Sequence, residues 1–132
     1  MAKMNPDYSE YMRAFFNQDY VSARMFLVFC LAEDICVAHK AQLLREIGYC
    51  HHMEENDAAA TLFYAKAEAI DSDSTFSALQ NAKFLAISRQ QKSAIEKVAE
   101  VKTRLESGRN DELSEDYYAN EFAEIAKILE RK

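Results

Sequence analysis

Apolar residues return every three or four positions along this chain, in seven stretches separated by short polar clusters, and that spacing predicts helices rather than strands. The first helix is expected to open with Asn5 as its cap and Pro6 at the first helical position, where a missing N–H costs nothing. Tyr8, Tyr11, Met12, Phe15 and Phe16 then form one apolar side, until Asn17-Gln18-Asp19 breaks the pattern. Asp19 can cap a second helix carrying Ala23, Phe26, Leu27, Cys30 and Leu31 and ending near Glu33-Asp34. A third helix runs from about Ile35 to Met53, with Leu43, Leu44, Ile47 and Cys50 or His51 on its packing side. Asn56 or Asp57 caps a fourth through Ala60, Phe63, Tyr64, Ala67 and Ile70, closed by Asp71-Ser72-Asp73-Ser74. Ser74 or Thr75 opens a fifth with Phe76, Leu79, Phe84, Leu85 and Ile87. After Arg89-Gln90-Gln91 comes a sixth with Ala94, Ile95, Val98, Val101 and Leu105, and Gly108 stands where a left-handed C-terminal residue is wanted. A seventh carries Tyr118, Phe122, Ile125 and Leu129. Connections this short make consecutive helices antiparallel.

Composition narrows the class to all-α. Two glycines and one proline in 132 residues leave little material for the tight turns of a many-stranded sheet, and the length suits one domain, 1–132. The net charge of −6 comes with basic residues scattered along the chain, so no phosphate-binding face forms and nucleic acid is not expected as a ligand. Acidity serves solubility first; a basic partner is the alternative it leaves open. The longest apolar run, Met25 to Ala32, falls far short of the roughly 20 residues that span a bilayer, so no membrane insertion is expected. Met1 to Glu10 lacks the pattern of a secretory leader, which makes the expected location cytoplasmic and Cys30, Cys36 and Cys50 reduced thiols on buried helix faces.

One interval adds organisation to this list of helices. Tyr20-x-x-Ala23, Asp57-x-x-Ala60 and Ser93-Ala94 each lie early in a helix, and Ala60 and Ala94 are 34 residues apart, the tetratricopeptide period. Leu44-x-x-Ile47-Gly48-x-x-His51 followed by Ala60-x-x-x-Tyr64-x-x-Ala67-x-x-Ile70-Asp71 resembles one complete tetratricopeptide repeat, departing at His51, where the family has Tyr, and at Ser72, where Pro is common. Gly48 would let two helices approach closely, small Ala60 and Ala67 would let them nest, and Tyr64 would fill the remaining gap. A bulky residue at Ala60 should be poorly tolerated. Ala78, Ala82, Leu85, Ala94, Val98 and Val101 resemble a following repeat, and Gln18-Asp19-Tyr20-x-x-Ala23-x-x-x-Leu27-x-x-Cys30 the second helix of a preceding one. The interval from Ala23 to Ala60 is 37, three residues more than the period. The resemblance implies a short right-handed α-solenoid of antiparallel helix pairs, with approximate repeats 4–36, 41–74 and 75–108 and a capping helix at 112–131.

Candidate chemistry is sparse. Cys36-x-x-His39 and Cys50-His51-His52 share one proposed helix, on which Cys36 and Cys50 lie about 21 Å apart along the axis and His51 and His52 point about 100° apart. A zinc site needs four converging ligands, so no metal is expected. The carboxylates Glu54, Glu55 and Asp57, and Asp71 and Asp73, fall at turns where capping explains them. There is no glycine-rich phosphate loop or serine nucleophile motif, and therefore no catalytic residue, no cofactor and no enzyme is expected. His51 stands at an inter-helix packing position and reads as a hydrogen-bonded core histidine rather than a pH switch.

In tetratricopeptide arrays the first helix of each repeat lines the concave side. The resemblance therefore implies a groove lined by Tyr8, Met12, Phe15 and Phe16, by Gln42, Arg45, Tyr49, His52 and Met53, and by Phe76, Leu79, Lys83 and Ile87. Such a surface suits a protein or peptide segment, with Arg45 and Lys83 placed to grip a carboxylate or backbone carbonyls. Alternatively, Phe15, Phe16 and Phe76 pack inside. The expected function is a small adaptor, or a chaperone similar in plan to those of bacterial secretion systems. An immunity-type inhibitor that neutralises a toxin through its acidic surface is the alternative, and a homodimer burying the apolar faces is a third.

Overall fold

The computed structural model describes residues 6–131, and the capping role expected of Asn5 lies outside them. Among the described residues there are seven helices and no strand, the all-α class the periodicity predicts: α1 (Pro6–Phe16), α2 (Tyr20–Leu31), α3 (Val37–Met53), α4 (Asp57–Ile70), α5 (Thr75–Ile87), α6 (Gln91–Glu106) and α7 (Glu115–Glu130). The expected caps are in place. Asp19 accepts the backbone N–H of Ser22 at 3.2 Å, Asn56 that of Ala59 at 3.2 Å, and Ser74 that of Ser77 at 3.1 Å. Helix α2 stops at Leu31 and α3 begins at Val37, two or more residues inside the expected limits. Cys36 is the N-cap residue of α3 and makes no side-chain cap bond, and its thiol is exposed rather than on a buried face; Cys30 and Cys50 are buried.

The chain divides into two compact units, residues 1–70 and 71–132. In the first, α1 packs on α2, α2 on α3, and α3 on α4. Its core joins Ala14, Ala23, Leu27, Cys30, Leu43, Ile47 and Cys50, flanked by Tyr8, Tyr11, Phe15, Tyr20, Leu31, Ile35 and Phe63. In the second, α5 packs on both α6 and α7 around Ala78, Leu79, Ala82, Leu85, Ala94, Val101, Tyr118 and Ile125. Burying an aliphatic side chain of this size contributes about 1.5–3 kcal/mol, so each unit draws its stability from its own few large residues and from the close helix approach that alanine allows.

A single turn geometry joins α1 to α2, α3 to α4, and α5 to α6. Gln18, Glu55 and Arg89 each adopt a left-handed backbone, with φ of 62°, 62° and 64°. In each turn this residue's N–H bonds the carbonyl three positions back and the next N–H bonds the carbonyl five back, as in Asp19 to Ala14, Asn56 to His51 and Gln90 to Leu85. This is the Schellman ending of a helix, and it satisfies carbonyls that α1, α3 and α5 would otherwise leave unpaired. Five residues after each left-handed residue stands a fully buried alanine: Ala23, Ala60 and Ala94. A left-handed conformation costs a side-chain-bearing residue about 1–2 kcal/mol, partly offset in glycine by its greater loss of chain entropy. Glu55→Gly is therefore expected to raise the free energy of unfolding by about 0.5 kcal/mol in chemical denaturation; a decrease would show that the Glu55 side chain, not its backbone, matters.

The start of α5 is held from a distance. Asp111 accepts the Phe76 N–H at 2.7 Å and the Ser74 hydroxyl at 2.9 Å, and Thr75 donates its hydroxyl to the Arg109 carbonyl at 2.6 Å. Arg104 donates to the carbonyls of Ser72 and Ser74, and the Tyr118 hydroxyl donates to that of Asn110 at 2.9 Å. Asp111 and Glu112 are both left-handed, with φ of 54° and 63°, a strained pair that these bonds keep in place.

Candidate functional site

In the first unit the side chains expected to line a groove converge on one run of aromatic rings along α1 and α3. Tyr8 lies against Tyr11, Tyr11 against Phe15, and Phe15 stacks on Tyr49 with ring centres 5.9 Å apart and planes at 30°. Tyr49 continues to His52, whose Nδ1 lies 2.6 Å from an Asp57 carboxylate oxygen and so ties the end of α3 to the start of α4. Phe16 and Tyr20 meet Phe15 edge-on. These contacts follow from the helical spacing of residues 8, 11 and 15 on α1 and 49 and 52 on α3, which places each set on one side of its helix.

The run grades from core to solvent. Tyr8, Tyr11, Met12, Phe15, Arg45 and His52 are half-buried, whereas Phe16 is 76% exposed, Met53 40% and Tyr49 38%. Phe15 supports the core rather than standing open. The Tyr8 hydroxyl donates to Glu46 at 2.9 Å, and Gln42 donates to the same carboxylate oxygen at 2.9 Å. Burial first, then the bond to Glu46, pushes the Tyr8 pKa up to about 12, and burial likewise raises Tyr11 and Tyr64. All three hydroxyls stay protonated at neutral pH, so these tyrosines contribute rings and neutral donors to the face and no phenolate charge.

In the second unit the α5 residues assigned to the groove meet α7 instead. Leu79 is fully buried in that unit's core. Lys83 pairs with Glu121 at 3.2 Å, and the Phe76 ring lies 6.4 Å from Tyr117. Lys83 is thus neutralised within its own unit and is not the open cation expected of it. Ile87 is 37% exposed and lines a cavity with residues of α7.

His51 differs in part from expectation. Its ring is half-buried and stacks on Phe63, 5.4 Å away with planes at 19°, but Nδ1 is buried with no hydrogen-bond partner and stands 3.7 Å from the Glu54 carboxylate. That carboxylate is held by Arg24, which donates to both of its oxygens at 3.1 and 3.2 Å. Burial, and after it Arg24, lowers the His51 pKa below its usual 6.5 against the opposing pull of Glu54. A base whose pKa is depressed by folding contributes stability above its unfolded value, and loses it as pH falls below about 6.5. His51→Phe, which keeps the stack and removes the orphan nitrogen, is expected to gain about 1 kcal/mol and to flatten stability between pH 7 and 5 in denaturant titrations. An unchanged pH slope would assign the acid sensitivity to other groups.

Among the described residues no three His, Cys, Asp or Glu side chains gather as a metal-binding group, and no helix is long and apolar enough to cross a membrane. Burial pushes the Cys50 thiol up to about 12 and raises that of Cys30, so both resist forming the reactive thiolate.

Sequence reasoning missed one surface. Val21, Met25, Val28 and Phe29 lie on a single side of α2, each about half exposed. The available signal was that α2 is apolar all round, with Arg24 its one charged residue, while its inner side needs only Ala23, Leu27 and Cys30. Comparison with protein-family models, curated proteins and solved structures gives no significant match.

Proposed function

We propose that this chain is a non-enzymatic protein-binding module of tetratricopeptide-like helical-repeat plan, acting in the cytoplasm as a small adaptor or chaperone. In this reading the α1/α3 face of the first unit takes an apolar or aromatic segment of a partner. The observation that carries it is the Phe15–Tyr49 stack with its open edge. A rigid, supported aromatic floor ends in Phe16, Tyr49 and Met53, which are held in position and still exposed. Aromatic and methionine side chains fixed this way lose little freedom on binding and adapt to partners of different shape. The recurring hairpin turn with its buried alanine five residues on supports the repeat plan.

The test is quantitative affinity capture from the source cells with the wild-type chain and with the double variant Phe16→Ser/Tyr49→Ala. The expected result is a partner that co-purifies with the wild type in both low and high salt and is lost, at least tenfold, with the variant while far-ultraviolet circular dichroism is unchanged. Capture that the variant retains and that high salt abolishes would overturn this reading in favour of inhibition through the acidic surface.

A further inference from the structure

The second unit contains a cavity of ≈ 310 Å³ where the α5–α6 turn meets the C-terminal end of α7. Its apolar walls are Ile87, Ile128 and Leu129, and its charged residues are Arg89, Arg131 and Glu124. Both arginines are exposed, and neither forms an ion pair with Glu124 or with any other described residue. Two guanidinium groups at one cavity, neither ion-paired among the described residues, stand out in a chain with net charge −6.

The backbone beneath both is pinned. Arg89 N–H bonds the Ala86 carbonyl at 3.1 Å within the Schellman turn, and Arg131 N–H bonds the Ile128 carbonyl at 3.2 Å. Gln91, the first residue of α6, donates its side-chain amide to the Leu129 carbonyl at 3.1 Å and so fastens the cavity's two sides together. The start of α6 has no side-chain cap, which leaves its first N–H groups and their partial positive charge directed outward from the same turn.

We propose that this cavity binds a carboxylate carried on an apolar body. Arginine matches the two oxygens of a carboxylate with parallel N–H bonds, and Arg89 and Arg131 both line the cavity, one from the α5–α6 turn and one from the end of α7. Ile87, Ile128 and Leu129 then cover the attached hydrocarbon, and the volume lies at the lower end of the roughly 300–1,000 Å³ of small-ligand pockets. Glu124 repels a second negative charge, so the site selects singly charged amphiphiles over phosphate or dicarboxylates. The last residue of a protein ending in an aliphatic side chain and a free medium-chain acid share this chemistry. The proposal does not rest on the reading of α1 and α3.

The test is amide chemical-shift titration of the uniformly ¹⁵N-labelled full chain with three probes: acetyl-Ala-Ala-Leu with a free carboxylate, the same peptide as its C-terminal amide, and octanoate. The expected result is saturable shifts at Arg89, Gln91 and Leu129 with the free-carboxylate peptide, octanoate or both, and binding of the amide weaker by about tenfold or more. Response to the peptide acid alone assigns a chain end as the natural ligand; response to octanoate alone assigns a free acid. Arg89→Gln/Arg131→Gln, two exposed positions, is expected to weaken binding about tenfold with helicity retained, and Glu124→Gln to tighten it about threefold. Equal binding of the amide, titration of the double glutamine variant like wild type, or no shift at millimolar probe overturns the proposal.

Discussion

Gly48→Val is expected to cost about 3 kcal/mol of stability, with Gly48→Ala costing about 1 kcal/mol even though alanine is the better helix former. A Cβ added at Gly48 would stand 2.9 Å from Cδ2 and 3.0 Å from Cε2 of the Tyr64 ring, and 3.2 Å from the Ala60 carbonyl oxygen. The first distance is shorter than side chains tolerate, the second is at that limit, and the third atom belongs to backbone that cannot swing aside. Glycine to alanine in a helix interior gains about 1 kcal/mol of propensity, while overpacking a helix crossing costs about 1–3 kcal/mol. The balance is unfavourable for alanine. It is worse for valine, which adds two methyl groups in the same space and gains less propensity. Chemical denaturation of the two variants checks the order, and Tyr64→Leu in the Gly48→Ala background supplies the control. If the ring is the obstacle, the double variant is more stable than the sum of the single effects predicts. Stabilisation by Gly48→Ala alone would show that α3 and α4 can move apart at little cost.

The second large effect belongs to α7. Tyr118 is 2% exposed, packs in the core of the second unit, and donates its hydroxyl to the Asn110 carbonyl in the loop that holds the start of α5. Burial raises its pKa to about 12, so it remains a donor throughout the physiological range. Tyr118→Phe loses the single hydrogen bond and is expected to cost about 1 kcal/mol. Tyr118→Ala loses the ring as well and is expected to cost about 3–5 kcal/mol. Amide hydrogen exchange across α5 to α7 is the measurement. Protection there should fall modestly with the first variant and by several orders of magnitude with the second. Equal effects would mean that the ring contributes nothing beyond its hydroxyl.

Much of the fold was legible because helix caps are local. Asp19, Asn56 and Ser74 act within three residues of where they stand, and each is a residue type whose short oxygen-bearing side chain suits that role. Gly48, Ala60 and Tyr64 were legible too, since small residues facing a ring at helical spacing state a close approach in the sequence itself. The left-handed turns were hidden. Gln18, Glu55 and Arg89 are not glycine, so nothing in their chemistry announces a positive φ. The boundary between α2 and α3 was blurred because Ala32 to Cys36 contains neither proline nor glycine.

The candidate surfaces divide in the same way. Helical spacing gathered Tyr8, Phe15 and Tyr49 on their own helix faces, but the stack of Phe15 on Tyr49 is a contact between residues 34 positions apart that no local pattern encodes. Leu79 and Lys83 were misplaced for the same reason: the core that buries one is built with α6 and α7, and the carboxylate that neutralises the other lies on α7, almost forty residues on. The exposed side of α2 was misread because an apolar residue looks the same in sequence whether its neighbours cover it or not. Arg89 and Arg131, at the mouth of one cavity, are 42 positions apart and could not be paired from spacing.

The constant offset from left-handed turn to buried alanine has a consequence for how this chain can change. With an offset of five positions from Gln18 to Ala23, Glu55 to Ala60, and Arg89 to Ala94, the turn sets the rotational phase of the helix that follows. One residue inserted in that interval would rotate the helix by about 100°, put Ser22, Ala59 or Ser93 at the crossing, and turn the buried residues that follow, Leu27, Ala67 and Val101, away from the core. Between hairpins the phase is reset at the next turn. The three extra residues separating Ala23 from Ala60 are accommodated because they lie outside this interval. Length can therefore drift in the linkers and in the first helix of each hairpin, whereas the five-residue register works as an index that each hairpin must keep.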